Sequence, residues 1–480
     1  DRLEIVYFLM LCAKKLQFCS KSGAKKLRFF NLYGKILSRN GKNMKRTFED
    51  TLNSWNSSGM SKPLMVIGAR QIGKTYLLKE FCKNNFDNYL YFNLEQDTEI
   101  TSLFNNTFKP EEIIRGIEIR LERVIDIEHT VFFFDEVQVS ENFITSLKYF
   151  CESDKPYKII CAGSLLGVKL NRFNSSFPVG KVVLEYMYPM SFKEFLMAIG
   201  QNMLIEEIIY HYQNMNAMPD DLHEKALLLY RHYLIVGGMP EAIKDYLDCD
   251  GDIVKFNRNI VKSIVEMYIS DMNKYTINKA ESVKIEKVYL SIPRELAKKN
   301  KKFQYKLIEE NASKRKFETA LDWLNASSII LSCYNTEKVE IPLKVYLNRD
   351  TFKVYYSDVG ILNSICDVGV NDIVNDTNFM FKGAIAENYV AEEFNTIDIP
   401  LIYWKSKGDA EIDFLLTTRD GIIPVEVKAS NRIQSKSLNV YMDKYKPKYG
   451  IRFSVKNFGF ENGIKSIPLY AIFCLNDLKG

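Results

Sequence analysis

The chain has 480 residues, 46% hydrophobic and 26% charged, which is near the globular average and leaves room for about two to four domains. Its formal net charge of +5 is too mild to require or to exclude nucleic-acid binding. Nine cysteines without C-x-x-C spacing and four histidines outside any H-E-x-x-H or triad-like pattern argue against disulfide scaffolds, zinc ribbons, metallohydrolases and Ser-His enzymes. Reduced thiols in a cytoplasmic protein are expected.

The first 43 residues hold ten basic residues against Asp1 and Glu4, a balance of +8 that leaves the rest of the chain at −3. The apolar run Ile5–Cys12 spans eight residues, too few for a membrane span, and its acidic neighbours do not suit a secretory signal. No membrane partner is therefore expected. Met44 opens a segment typical of a natural start, so residues 1–43 are interpreted as a basic N-terminal extension outside the fold. A basic arm on nucleic acid or membrane is the alternative.

Residues 44–190 are predicted to form an α/β domain with a mainly parallel sheet, because short apolar runs alternate with helical patterns. The predicted strands are Leu64–Ile67, Tyr89–Leu94, Val131–Phe134, Ile159–Ala162 and Val182–Leu184. Strands that are apolar throughout suit a sheet covered on both faces.

The segment Gly68–Thr75 fits the phosphate-binding pattern G-x-x-x-x-G-K-[ST] between a predicted strand and a predicted helix. Glycines let backbone N–H groups curl round the phosphates, and the helix N-terminus adds its positive dipole. Lys74 is predicted to reach the β- and γ-phosphates of ATP, and Thr75 to hold Mg²⁺. The candidate nucleotide-binding residues are Gly68, Ala69, Arg70, Gln71, Ile72, Gly73, Lys74 and Thr75.

Two carboxylates follow the apolar run Val131–Phe134. Asp135 is predicted to end a buried strand and to serve the Mg²⁺ shell, and Glu136 to orient and activate the attacking water. Ser164 follows the next strand and is a candidate sensor of the γ-phosphate. The alternative for the carboxylates is a solvated strand end. Lys74, Glu136 and Ser164 are thus the predicted catalytic residues, with ATP and Mg²⁺ as cofactors.

Residues 191–280 are predicted to form a helical lid, interrupted at Gly237–Pro240 by a tight turn. Residues 281–365 are predicted to be winged-helix-like, with helices followed by a strand pair at Ile341–Val345 and Phe352–Tyr356.

A basic stretch within that segment is a candidate DNA contact. Residues 295–316 hold eight lysines and arginines with Phe303 and Tyr305 interleaved, a composition suited to phosphate contacts. A solvated helix face is the equally weighted alternative.

Residues 366–480 are predicted to form a smaller α/β domain with a carboxylate cluster. Asp413 opens one strand, and Glu426 and Lys428 lie two apart on the next, so they share a face. This pattern is typical of restriction-endonuclease-like nucleases, in which two carboxylates hold Mg²⁺ and a lysine positions or deprotonates the water. Glu387 on the preceding helix is a further candidate. The predicted metal ligands are Asp413 and Glu426, and the alternative is a surface Glu426–Lys428 ion pair beside a strand-capping Asp413.

Several motifs together resemble one family. Gly68–Gln71, Phe134–Gln138 and Ala162–Ser164 are similar to bacterial and archaeal AAA-like ATPases joined to a C-terminal domain of unknown function. Further matching segments are Phe177–Lys181, Tyr188–Phe195, Gly237–Ala242, Tyr356–Leu362 and Gly383–Asn388. The resemblance covers about 44–475. It implies a P-loop NTPase of the AAA-like class followed by a restriction-endonuclease-like fold, with Glu387, Asp413, Glu426 and Lys428 at the positions of its motif.

One departure concerns Lys181, where the family often has arginine. Lysine lacks the bidentate fork of arginine, so the identity of any arginine finger stays open.

Two functional hypotheses follow from these patterns. In the first, ATP turnover is coupled to a DNA-acting endonuclease-like domain. In the second, the protein is an ATP-dependent molecular switch, and its C-terminal domain is a non-cutting recognition module for a protein or nucleic-acid partner. Candidate partners are ATP, DNA, a second copy of the chain and another protein.

Overall fold

The computed structural model describes residues 44–59, 61–164, 177–274, 276, 278–377, 379–430 and 436–478. The predicted extension 1–43 lies outside the described residues.

A five-stranded sheet organises the first part of the chain. The strands run parallel in the order β2-β3-β4-β1-β5. They are β1 (Leu64–Ile67), β2 (Asn88–Asn93), β3 (Thr130–Asp135), β4 (Lys158–Gly163) and β5 (Val183–Tyr186). The predicted parallel sheet is confirmed, and each predicted strand agrees with an observed one to within about two residues at either end.

Both faces of this sheet are covered. Leu64 and Val66 of β1 belong to one apolar core, and Met65 and Ile67 belong to the other, as the alternation of side chains along a strand requires. The surrounding helices are Phe48–Ser57, Lys74–Asn85, Thr98–Asn106, Pro110–Leu121 and Glu141–Glu152. Burial on both faces explains why these strands are apolar throughout rather than alternately polar.

A helical region follows the sheet, as predicted. Its helices are Phe192–Ala198, Asn202–Asn214, Asp220–Val236, Pro240–Asp248 and Asn259–Lys274. The predicted turn at Gly237–Pro240 separates the third helix from the fourth. The N–H of Met190 donates to the carbonyl of Gly238 at 2.7 Å, and a Cβ on Gly238 would lie 2.1 Å from the Met190 oxygen. Close backbone approach therefore requires glycine at this position.

The helices Lys279–Leu296 and Lys314–Ala326 and the antiparallel strands β6 (Ile330–Thr336) and β7 (Leu347–Tyr356) come next. The winged-helix-like assignment of this segment stays a prediction, and the strand predicted at Ile341–Val345 is wrong. Those residues lead into a 3₁₀ turn at Leu343–Tyr346, because the proline at position 342 has no N–H for a strand ladder.

The strand pair β6–β7 extends into the C-terminal region. Strand β6 pairs in parallel with β8 on its other edge, giving a four-stranded sheet β7-β6-β8-β9. A second, mixed sheet has the order β10-β11-β12-β14-β13. These strands are β8 (Ile402–Lys405), β9 (Glu411–Ile412), β10 (Phe414–Thr418), β11 (Gly421–Val427), β12 (Gly450–Ser454), β13 (Gly459–Glu461) and β14 (Ile464–Pro468). Strands β6 and β7 lie before the predicted domain boundary at residue 365, and β8 and β9 lie after it. All four strands belong to one sheet, which therefore crosses that boundary.

The remaining helices are Val359–Ile365, Val370–Val374, Lys382–Thr396 and Lys436–Tyr445, followed by a 3₁₀ segment at Leu469–Leu478. Within the described ranges, no helix has the length and apolar character needed to cross a bilayer. The cysteines of the same ranges form no disulfide.

The helix Lys382–Thr396, here called the central helix, is buried on every side between Ala384 and Phe394. Its Glu392 accepts a hydrogen bond from the N–H of Val359 at 2.7 Å. Its Glu393 accepts one from the N–H of Phe192, also at 2.7 Å. The central helix therefore holds together the helical region and the segment that follows β7.

The second oxygen of Glu392 is bonded to the hydroxyl of Tyr233, which also lies 2.6 Å from the carbonyl oxygen of Met190. The Tyr233 hydroxyl is the donor towards both oxygens. Burial, reinforced by Asp358, raises the pKa of Glu392 well above its ordinary value, although the bond from Tyr233 opposes that rise.

We expect Glu392→Gln to change the free energy of unfolding by less than about 1 kcal/mol near neutral pH, because an amide reproduces both hydrogen bonds. Glu392→Ala should cost about 2–4 kcal/mol through lost bonds and a cavity. The wild-type carboxyl has a raised pKa when folded, so its contribution declines as pH rises above its unfolded value, and Glu392→Gln removes that slope. Urea unfolding at several pH values measures both effects. Equal destabilisation by Gln and Ala would contradict a protonated Glu392.

Candidate functional site

The predicted phosphate-binding loop connects β1 to the helix Lys74–Asn85, at the carboxyl edge of the parallel sheet. Gly73 has a φ of 90°, a left-handed conformation that glycine adopts without strain. A Cβ on Gly68 would lie 2.2 Å from the carbonyl oxygen of Met187. Both glycines of the motif are thus needed for the path of the backbone itself.

The Lys74 side chain is buried inside this loop. Its ammonium donates to the carbonyl oxygens of Gly68 at 2.9 Å and Ala69 at 2.6 Å. Burial lowers the pKa of Lys74 to about 8, while Glu136 and Asp135 act to raise it. The two predicted carboxylates thus partly offset the effect of burial on the lysine.

Thr75 and Asp135 meet as the motif predicts. The Thr75 hydroxyl donates to Asp135 Oδ2 at 2.6 Å, and the Tyr91 hydroxyl reaches the same oxygen at 3.3 Å. The backbone N–H of Glu136 donates to Asp135 Oδ1 at 2.9 Å. A hydroxyl and a carboxylate oxygen side by side are ligands of the kind that Mg²⁺ prefers.

Glu136 follows β3 in a left-handed conformation with a φ of 53°. Its Oε2 accepts from the Ser164 hydroxyl at 3.3 Å and from the amide of Gln138. The structure therefore brings the predicted catalytic residues Glu136 and Ser164 together. Gln138 is fully buried, and the sequence indicated it only as part of the Phe134–Gln138 motif.

Arg46 supports the loop from outside and was not predicted. Its guanidinium donates to the carbonyl oxygens of Ile72 at 2.8 Å and Tyr188 at 2.6 Å. The same group pairs with Glu194 at 3.1 Å. Arg46 thus connects the loop to the start of the helical region. This role could not be predicted from neighbouring residues, because the partners of Arg46 are distant in the chain.

The helix Asn259–Lys274 also reaches the loop. Tyr268 donates from its hydroxyl to the carbonyl oxygen of Arg70 at 3.0 Å. The Arg70 guanidinium pairs with Asp271 at 2.5 Å and donates to the Ser164 hydroxyl at 3.4 Å. Sequence reasoning missed Tyr268 and Asp271, since nothing in a helical pattern marks them as neighbours of the loop.

The predicted C-terminal cluster is arranged around a lysine that the sequence did not indicate. The buried Lys353 ammonium lies 3.0 Å from Glu387, 2.7 Å from Glu411 and 3.9 Å from Asp413. Lys301 and the hydroxyl of Tyr355 also donate to Glu387.

These charges shift one another's pKa values. Burial alone would lower the pKa of Lys353, but the carboxylates of Glu387, Glu411 and Asp413 raise it well above its ordinary value. Burial, reinforced by Glu387, raises the pKa of Asp413. The Lys353 ammonium is therefore the cation that balances the carboxylates of this cluster.

Glu426 and Lys428 form an ion pair of 2.7 Å, and the N–H of Val427 donates to Asp413 at 2.9 Å. The two strands are neighbours as predicted. Among the residues that the structure describes, no group of three or more His, Cys, Asp or Glu is arranged to hold a metal ion. The assignment of Asp413 and Glu426 as metal ligands stays a prediction.

The basic stretch 295–316 is partly neutralised. Four of its eight cations are paired with carboxylates, namely Lys298 with Glu295, Lys301 with Glu387, Lys314 with Asp350, and Lys316 with Glu309. This pairing favours the solvated-face interpretation over a phosphate-binding surface.

Three family models match successive parts of the chain. They are an AAA domain at residues 60–196, a domain of unknown function (DUF8612) at 227–372, and a domain of unknown function (DUF4143) at 382–472. No curated protein matches the chain.

Solved structures show low similarity. The Walker-type ATPase of Pyrococcus abyssi is 13% identical with a TM-score of 0.41, over 68% of this chain and 97% of that one. The ORC2 protein of Aeropyrum pernix is 13% identical with a TM-score of 0.32, over 73% and 92%. AMPPCP-bound DnaA from Aquifex aeolicus is 14% identical with a TM-score of 0.27, over 58% and 84%. Similarities of this size are too low to support a functional conclusion. The AAA match at residues 60–196, the parallel sheet and the loop geometry together show a P-loop ATPase-like domain in the described part of this range.

Proposed function

We propose that the protein is a Mg²⁺-dependent ATPase that hydrolyses ATP at the loop Gly68–Thr75. The observation that carries this proposal is the convergence of Lys74, the Thr75–Asp135 contact of 2.6 Å and Glu136 at one edge of the sheet. Phosphoryl transfer needs this combination of a phosphate cradle, two oxygen ligands and a carboxylate base.

Thr75 and Asp135 fit a magnesium ion, because a hydroxyl and a carboxylate oxygen are already in contact and both are hard oxygen ligands. These two residues would hold the ion. When bound with ATP, Mg²⁺ neutralises charge on the β- and γ-phosphates.

The protein residues supply the remaining steps. Lys74 exchanges the carbonyls of Gly68 and Ala69, to which it is bonded, for phosphate oxygens. Glu136 takes a proton from water as the water oxygen bonds to the γ-phosphorus and the bond from that phosphorus to the β–γ bridging oxygen breaks. Ser164, bonded to Glu136, orients that carboxylate.

We expect Glu136→Gln to bind ATP with little loss and to lower kcat by at least about 100-fold, because the proton acceptor is removed. Lys74→Ala should lose ATP binding or turnover. A matched control is Glu122→Gln, since Glu122 is exposed and has a similar φ of 52°; its activity should equal that of the wild type. Phosphate release and fluorescent-nucleotide titration measure the two properties. An unchanged rate of ATP hydrolysis in Lys74→Ala would refute the proposal.

For the rest of the chain we infer a molecular switch with a non-cutting C-terminal recognition module. The supporting observation is the Lys353 ammonium, which lies 3.0 Å from Glu387 and 3.9 Å from Asp413, two of the carboxylates that a nuclease would use. Expelling a buried lysine to admit Mg²⁺ would break charge-assisted bonds to Glu387 and Glu411. The hypothesis of a DNA-acting endonuclease, with catalytic Glu387, Asp413, Glu426 and Lys428, is the competing proposal.

A route from the ATP site to this module runs through buried groups. Asp358 accepts from the N–H of Gly238 at 2.6 Å, and Glu392 accepts from the N–H of Val359 beside it. A movement of the helical region on ATP binding would therefore displace the central helix as well. The partner that reads the change is a protein or a nucleic acid.

We expect no nicking of supercoiled plasmid with Mg²⁺ or Mn²⁺, with or without ATP, while ATP turnover stays intact. Hydrogen exchange in the central helix should change when ATP is added to wild type and should not change in Lys74→Ala, because the switch depends on bound nucleotide. Metal-dependent nicking that disappears in Lys428→Ala would establish the nuclease and overturn the switch.

A further inference from the structure

The helix Asn259–Lys274, here called the lid helix, holds one residue of the phosphate-binding loop by two bonds. Tyr268 donates to the Arg70 carbonyl at 3.0 Å, and Asp271 pairs with the Arg70 guanidinium at 2.5 Å. Tyr268 and Asp271 are three residues apart and therefore share a helix face. Both the backbone and the side chain of Arg70 are thus fixed by the lid helix.

The ion pair is largely shielded from solvent. The side chains of Arg70 and Asp271 are 22% and 8% exposed, so the pair is less screened than a surface salt bridge. Burial raises the pKa of Asp271, and Arg70 opposes that rise. Removal of either charge would therefore break this ion pair while the remaining charge stays largely shielded from solvent.

From Arg70 the contacts continue to the catalytic carboxylate. Arg70 Nε donates to the Ser164 hydroxyl at 3.4 Å, and that hydroxyl donates to Glu136 Oε2 at 3.3 Å. A single guanidinium therefore connects a carboxylate of the lid helix to the hydroxyl that orients Glu136.

We propose that Asp271 is a positioning residue for ATP hydrolysis, which holds the Arg70 guanidinium so that it does not pair directly with Glu136. This inference rests on the proposed ATPase function. Without Asp271, the guanidinium turns to Glu136, to which it is already linked through Ser164. A direct Arg70–Glu136 pair occupies the carboxylate that must accept a proton from water. Hydrolysis therefore requires that the lid helix be docked on the loop, which gives the segment matched by the DUF8612 model a role.

The test compares ATP turnover by wild type, Asp271→Asn, Arg70→Gln and the double variant. We expect Asp271→Asn to lower kcat by about tenfold with KM nearly unchanged, and Arg70→Gln to lower it by about threefold. The double variant should return to about the Arg70→Gln level, because the misplaced guanidinium is absent. If Asp271 only stabilised the lid helix, its loss would lower activity equally with or without Arg70.

Glu266→Gln is the matched control, since it removes the same charge from an exposed position on the same helix and should leave turnover unchanged. Titration with a fluorescent ADP analogue should give an affinity within about twofold of wild type for the Asp271→Asn and Glu266→Gln variants, which shows that the site is folded. Wild-type kcat in Asp271→Asn, or a double variant as slow as the product of the two losses, would overturn the inference. A wild type no faster than Lys74→Ala would instead refute the ATPase proposal itself.

Discussion

Two adjacent carboxyl groups on the central helix hold the molecule together. Glu392 accepts from the N–H of Val359, and Glu393 accepts from the N–H of Phe192. Val359 and Phe192 are each the first residue of a helix, where backbone N–H groups have no partner within the helix. One buried helix therefore supplies hydrogen-bond acceptors for the first N–H groups of two other helices, which begin about 170 residues apart in the sequence.

These contacts place the helical region directly against the nucleotide loop. Met190, which precedes the helix beginning at Phe192, is bonded to Gly238 and Tyr233, and the lid helix contacts Arg70. Because interiors are close-packed, the proposed switch would transmit a change in the loop by displacement of whole helices. The arrangement suits a protein whose nucleotide state is read elsewhere in the chain.

The two carboxylate sites differ in how their charge is balanced. At the proposed ATP site, Asp135 is bonded to hydroxyl and backbone donors, and no lysine or arginine of the described residues forms an ion pair with it. In the C-terminal cluster, the Lys353 ammonium neutralises the carboxylates from within. The two groups of carboxylates therefore differ in what stabilises their buried charge, because such a charge has to be compensated by nearby donors or cations.

The sequence by itself determined the parallel sheet, the phosphate-binding loop and the positions of Asp135 and Glu136, since apolar strands and loop motifs depend on neighbouring residues. The strand predicted at Ile341–Val345 was wrong, because the apolar pattern continues past the proline at position 342. The tertiary structure alone decided that Asp271 meets Arg70 and that Lys353 enters the C-terminal cluster. Such pairs join residues far apart in the chain, and no local periodicity records which buried charges will face one another once the helices pack.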